Sequence, residues 1–231
     1  MSSFMIGLRP SFALLLVLFA SGCVTNAPPS DALVSVAPAP MSAPVREEAF
    51  GDPAYMYRQI EDGGFTVAAV DVSRLKPQYV RQIVDFSGDE APGTIIVDQG
   101  TRFLYLVQPG GRAIRYAVGV GPVARAYGGG EAVIARKGTW PRWRPTDNMI
   151  ARSPEQYKKF ENGVDGGPGN PLGARALYMY RDGVDTYYRV HGTNKPSSIG
   201  QAVSAGCIRM LNQDVIDLHS RVRTGARIIV R

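Results

Sequence analysis

The run TIIVDQGTRFLYLVQPGGRAIRYAVGVG, residues 94–121, decides the fold class. Apolar and polar residues alternate in three bursts: Thr94–Asp98, Arg102–Val107 and Ala113–Val120. Turn formers separate them, most clearly the QPGG of residues 108–111. A period of two punctuated by Gly and Pro is the hairpin signal, whereas a helix would space its apolar positions by three and four. The pattern continues in EAVIARKGTW (131–140) and in LYMYRDGVDTYYRVHG (177–192), where RDGVD is another turn. Between them, residues 141–173 read as a long loop holding one short helix, with Ser153 as N-cap and Pro154 in the first helical position. A loop of that length in a compact domain is often functional. NQDVIDLHSRV (212–222) predicts a helix with Asn212 as N-cap and Val215, Leu218 and Val222 on one face. ARIIV (226–230) is a closing strand, so the body reads as mainly β with a short helix near its end.

The rest of the chain frames this body. Its 231 residues are 45% hydrophobic with a formal charge of +6, which suits a surface near anionic polymer. Nucleic acid is not an expected partner, because there is no Lys/Arg run and no recognised nucleic-acid-binding signature. Residues 1–22 carry one charge, Arg9, before the apolar run Phe12–Ala20. That run is shorter than the roughly 20 residues a spanning helix needs, and it reads as a secretory signal. Ala20-Ser21-Gly22 before Cys23 resembles a bacterial lipobox, which implies cleavage at Cys23 and its lipidation. Cleavage after residue 22 removes only Arg9, leaving +5. Without an Asp after Cys23, the resemblance implies a periplasmic protein held at the outer membrane of a Gram-negative cell. Residues 23–54 are Pro-, Ala- and Ser-rich and read as a disordered tether. Residues 55–92 read as a peripheral arm and residues 93–231 as the main domain.

Two scarce side chains then stand out. His191, one of two histidines, ends an apolar strand, and Cys207, one of two cysteines, sits between Gly206 and the helix near Asn212. A thiol becomes a strong nucleophile as thiolate, helped by an imidazole or a helix N-terminus. Gly206 lets the backbone approach a reacting atom, and amides from Gly206 to Ile208 could face an oxyanion. The bland alternative is a structural histidine and a small core cysteine. A buried structural cysteine belongs more naturally inside a strand or helix than in SAGCIRM (204–210). Papain-like peptidases place Cys before His, and here His comes first. His219 reads as a packing or surface residue. Two histidines and one free cysteine this far apart make no zinc site, and neither a metal nor a cofactor is expected.

HGTNKPSSIGQAVSAGCIRMLNQDVIDL, residues 191–218, resembles the active-site signature of the L,D-transpeptidase catalytic domain family, also called the YkuD or ErfK/YbiS family. PGTIIVD, FLYLV, RYAVGVG, KGTWPRWRPTDNMI and GGPGNPLGARALYMY resemble its other blocks in order, so the likeness covers about residues 93–231. It implies a β-sandwich and acyl transfer on peptidoglycan stem peptides. Cys207 would attack a carbonyl of a tetrapeptide stem, form a thioester and release the terminal D-alanine. An amine would then take the acyl group, forming 3-3 crosslinks or attaching an outer-membrane protein to the wall. His191 would be the general base, its tautomer set in the Gly192-Thr193 turn. Arg209 matches the family arginine and would hold a substrate carboxylate or brace the loop. Ser204 and Asn212 match motif positions that mainly shape the loop. Asn170 and the GGPG stretch would line the cleft, with Asn170 and Asn212 as further substrate contacts. Where many members have a second histidine, this chain has Ala205, which leaves His191 as the only local base. Two alternatives share this scaffold: an L,D-carboxypeptidase or endopeptidase that uses water, and a non-catalytic wall-binding lipoprotein.

Overall fold

The computed structural model describes residues 51–121, 129–202 and 207–231, all within one compact unit, Glu47–Arg231. The expected signal, Cys23 and all of the 23–54 tether up to residue 50 lie outside the described residues, as do Ser204, Ala205 and Gly206, while the tether's last two residues, Pro53 and Ala54, open a helix. The strands are β1 (Ile60–Asp62), β2 (Phe65–Val67), β3 (Gln82–Asp85), β4 (Ile95–Asp98), β5 (Phe103–Gln108), β6 (Arg112–Ala117), β7 (Gly119–Val120), β8 (Gly130–Thr139), β9 (Arg175–Arg181), β10 (Val184–His191), β11 (Ile208–Arg209) and β12 (Arg227–Val230). The helices are α1 (Pro53–Met56), α2 (Asp147–Arg152), α3 (Pro154–Tyr157) and α4 (Asn212–Arg221). β1 and β2 form a hairpin. The other ten strands form one sheet in the order β3-β6-β5-β4-β12-β8-β9-β10-β11-β7.

The 94–121 run gives the expected antiparallel pairs, Ile95↔Leu106 and Leu104↔Tyr116 among them. Its third burst is two strands, not one. β6 stays with β5, while β7 pairs with β11 at the far end of the sheet. Residues 116–121 are all buried, so no solvent-facing residue marks the break. This connection joins the two ends of the sheet, and side chains from both ends share one core. Ile95, Leu104 and Tyr116 meet Leu177, Val190 and Ile208 there. α4 adds Val215 and Leu218, and Val222 caps its C-terminus, each at most 3% exposed, the face that the spacing predicts. Burying one such side chain contributes roughly 1.5–3 kcal/mol. Asn212, expected as N-cap, is instead the first helical residue, and Leu211 holds the cap position with no side-chain bond.

Residues 55–92 are built into the body. β3 is an edge strand on β6, and Tyr57 is fully buried against Leu211 and Ile199. Tyr57 Oη donates to Asp214 Oδ1 at 2.9 Å and accepts from the Arg81 amide at 2.8 Å. Burial pushes the Asp214 carboxyl up to about 7, although Arg81 lies 3.6 Å away and Tyr57 donates to it. The folded form therefore holds a proton on Asp214 that the unfolded chain releases near pH 4. Its stabilising contribution is complete below pH 4 and is lost as pH rises through about 7. Asp214→Asn should keep the Tyr57 bond and flatten this part of the stability profile, so the variant gains on wild type between pH 5 and 8. Urea melts of both proteins across that range would check it.

Candidate active site

The parallel pairing of β10 with β11 builds the site. Val190 pairs with Ile208, and both side chains enter the core. Side chains alternate along a strand, so His191 and its partner Arg209 face the other way, as does Cys207 one residue before β11. Met210 N donates to His191 O at 2.8 Å and extends the pairing. His191, Cys207 and Arg209 line one cleft of about 420 Å³, with Thr193 beside them and Trp143 and Tyr157 in its wall. Among the described residues its cationic side chains are Lys159, Lys195 and Arg209, and no Asp or Glu lines it.

His191 is only 4% exposed, and its Nδ1 lies 2.5 Å from Gly192 O. A carbonyl only accepts, so Nδ1 carries the proton and Nε2 is the basic nitrogen. Burial drives the imidazole down to about 4, with Arg209 and Arg189 adding to the shift and the Gly192 and Leu172 carbonyls opposing it. Cys207 is partly exposed and is the free cysteine among the described residues. Burial raises its thiol, while the charges of Arg189 and Arg209 and a backbone hydrogen bond from Arg189 pull it back. At neutral pH the two groups rest as thiol and imidazole, not as an ion pair.

The turn after His191 is held by Asn212. Its Oδ1 accepts from Ala174 N at 3.0 Å and Thr193 N at 3.2 Å, and its Nδ2 donates to Thr193 O at 3.1 Å. Gly173 and Gly192 leave the space, since a Cβ at either would collide with that oxygen, and Gly173 also has φ +61°. All three of these Asn212 bonds go to backbone. Asn212 ties α4 to the turn that orients His191. Asn212→Ala would leave two amides without a partner, at about 1–3 kcal/mol each. The expected result is a drop of about 3 kcal/mol in a denaturant melt, with weaker activity from a looser His191.

Asn170 likewise binds backbone. It is 1% exposed, its Nδ2 donates to the carbonyls of Pro141, Val164 and Asp165, and its Oδ1 accepts from Leu172 N at 2.8 Å. These bonds all go to backbone, so Asn170 holds the long loop in shape. The loop itself holds more helix than its sequence showed. α2 precedes α3, and Thr146 Oγ1 caps it by accepting from Met149 N at 3.2 Å. Reciprocal bonds of 2.9 and 2.7 Å between Trp143 and Val164 close the loop, and Trp143 packs on Tyr157 and Phe160 at the cleft. Trp143 went unremarked in the sequence, although an aromatic inside a long loop beside Pro was its signal. His219 lies on α4, away from the cleft lining. Among the described residues no group of three or more His, Cys, Asp or Glu could hold a metal.

Several relatives share this sequence. The probable L,D-transpeptidase ErfK/SrfK of Escherichia coli (strain K12) is 32% identical over 136 residues, 58% of this chain and 42% of that protein. The probable L,D-transpeptidase YbiS of the same strain is 38% identical over 95 residues, 41% of this chain and 29% of that protein. The chain thus spans less than half the length of these curated relatives. A crystal structure described as a probable carnitine operon oxidoreductase from Brucella melitensis is 47% identical, over 66% of this chain and 94% of that one, with a TM-score of 0.46. The model of the L,D-transpeptidase catalytic domain, YkuD, matches residues 92–230. With that match over more than half of its length, the chain belongs to the L,D-transpeptidase catalytic domain family.

Proposed function

We propose that the chain is a cysteine acyltransferase of the peptidoglycan layer, with Cys207 as nucleophile and His191 as general base. The reading is supported most by the β10–β11 register, which turns His191, Cys207 and Arg209 into one cleft while Gly192 O holds His191 Nδ1. The His191 Nε2 takes the thiol proton as Sγ attacks the stem carbonyl. A carbon–sulfur bond forms, the carbon–nitrogen bond to the terminal D-alanine breaks, and the leaving amine takes the proton from the imidazolium. In the second half, an incoming amine gives a proton to His191 and displaces Cys207, which recovers it as thiol. Arg209 and Lys195 suit the carboxylates of a stem peptide, and among the described residues the cleft lining carries no acid to oppose them. The amides of Cys207 and Ile208 would face the oxyanion. Because thiol and imidazole rest neutral, proton transfer accompanies attack. The 1–22 signal, a lipidated Cys23 and the 23–54 tether would let the 93–231 domain reach the wall from the outer membrane.

The test is incubation with a tetrapeptide stem and a second stem as acceptor, followed by mass spectrometry. The expected products are free D-alanine and a crosslinked peptide. Tripeptide without crosslink would make water the acceptor, and unchanged tetrapeptide would refute the enzyme reading.

A further inference from the structure

A second cleft, of about 630 Å³, also opens on Cys207. It shares Trp143, Met149 and Leu172 with the first but does not include His191. Four arginines line it: Arg136, Arg142, Arg144 and Arg189. Strand register arranges two of them. Arg136 of β8 pairs with Tyr178 of β9, which pairs in turn with Arg189 of β10. Both guanidinium groups lie over the Tyr178 ring, at 3.4 and 4.6 Å from its centroid. Cys207 follows on the next strand, one residue before Ile208, and takes a backbone hydrogen bond from Arg189. A row of side chains thus leads across four strands, Arg136–Tyr178–Arg189–Cys207.

Two bulges shape this row. The β8–β9 register shifts between Ile134 and Arg136, and the β10–β9 register between Asp185 and Arg189. The second bulge holds Tyr187 at φ +60° and 70% exposed, with its amide bound to Asp185 Oδ1 at 2.8 Å. A bulky residue held in the left-handed region with its ring in solvent is strained, and such strain clusters where ligands bind. The charges in and beside the cleft are not all open. Arg142 pairs with Asp165, Arg144 with Asp147 and Arg189 with Asp185, the first two in exposed pairs that exchange at little cost. Arg136 has no carboxylate partner among the described residues.

We propose that this arginine row is the acceptor subsite, and that Arg136 binds a carboxylate of the acceptor peptide. The assignment rests on the acyl-transfer reading above. It answers which amine enters: one carried by a peptide with free carboxylates, in preference to a neutral amine. Cationic surroundings also disfavour an ammonium group and so favour the unprotonated, nucleophilic amine. In the step itself the amine nitrogen bonds to the thioester carbon, the carbon–sulfur bond breaks, and the amine proton passes through His191 to the Cys207 sulfur.

The test uses the full chain, a tetrapeptide donor and two acceptors: a diaminopimelate-containing tripeptide and the same tripeptide with its carboxylates amidated. Wild type should show a KM for the acidic acceptor about tenfold below that for the amidated one. Arg136→Gln should raise the acidic acceptor's KM about tenfold and leave that of the amidated peptide unchanged. Its kcat and its rate of D-alanine release should stay within about twofold of wild type. Equal KM for the two acceptors in wild type, or an unchanged KM for the acidic acceptor in Arg136→Gln, overturns the proposal. A wild-type protein that releases no D-alanine overturns the reading beneath it, and the proposal with it.

Discussion

Cys207→Ala is expected to abolish D-alanine release and crosslinking, by about 10⁴-fold or more, while leaving the protein folded. The magnitude follows from removing the atom that forms the covalent intermediate, a loss that binding and the remaining site cannot replace. The fold survives because Cys207 is only partly buried and precedes a two-residue strand whose inward anchor is Ile208. Removing one sulfur from such a position costs about 1 kcal/mol or less. Product formation by mass spectrometry and a thermal melt check the two halves separately. Crosslinking at the wild-type rate by this variant would place the nucleophile elsewhere.

His191→Ala should be nearly as damaging to activity, about 10²–10⁴-fold, because no second histidine flanks Cys207 to take its proton. This variant also removes a buried ring from the end of β10 and leaves the Gly192 carbonyl without its partner, at about 1–3 kcal/mol. Loss of activity by unfolding is separable from loss by chemistry. Added imidazole should restore part of the rate to a folded variant and none to an unfolded one. The pH profile gives a second reading. His191 works as a base only when neutral, and burial holds it down to about 4. The acid limb of kcat/KM should therefore fall near pH 4, well below the 6.5 of an ordinary histidine, and protonation should abolish the rate as pH drops through it. An acid limb at 6.5 would mean that the ring is solvated in the working enzyme.

The β-rich fold, the strands from Ile95 to Ala117 and the terminal helix were legible because alternation and helical spacing are local signals. The break between β6 and β7 was not, since residues 116–121 are buried without exception and offer no alternation. His191 and Cys207 stood out in the sequence by their chemistry and Arg209 only by the family resemblance, and the parallel register explains why the three share one face. Asn212 and Asn170 were legible only as polar residues in motif positions. What they do is bind backbone, Asn212 reaching back to Ala174 and Thr193 and Asn170 holding Pro141, Val164 and Asp165. Bonds from a side chain to backbone carbonyls and amides leave no trace in spacing or composition. The same holds for Tyr57 and Arg81, which reach Asp214 from a segment that read as an arm. The row from Arg136 to Cys207 exists only once four strands are in register.

The central claim is that Cys207 carries the acyl group. A carbapenem tests it most directly, because its strained lactam acylates a competent thiol and stays attached. Intact mass spectrometry of the full chain after incubation should show one adduct of the carbapenem's mass, mapped to Cys207 and absent from Cys207→Ser. No adduct, or an adduct that persists in Cys207→Ser, would contradict the account.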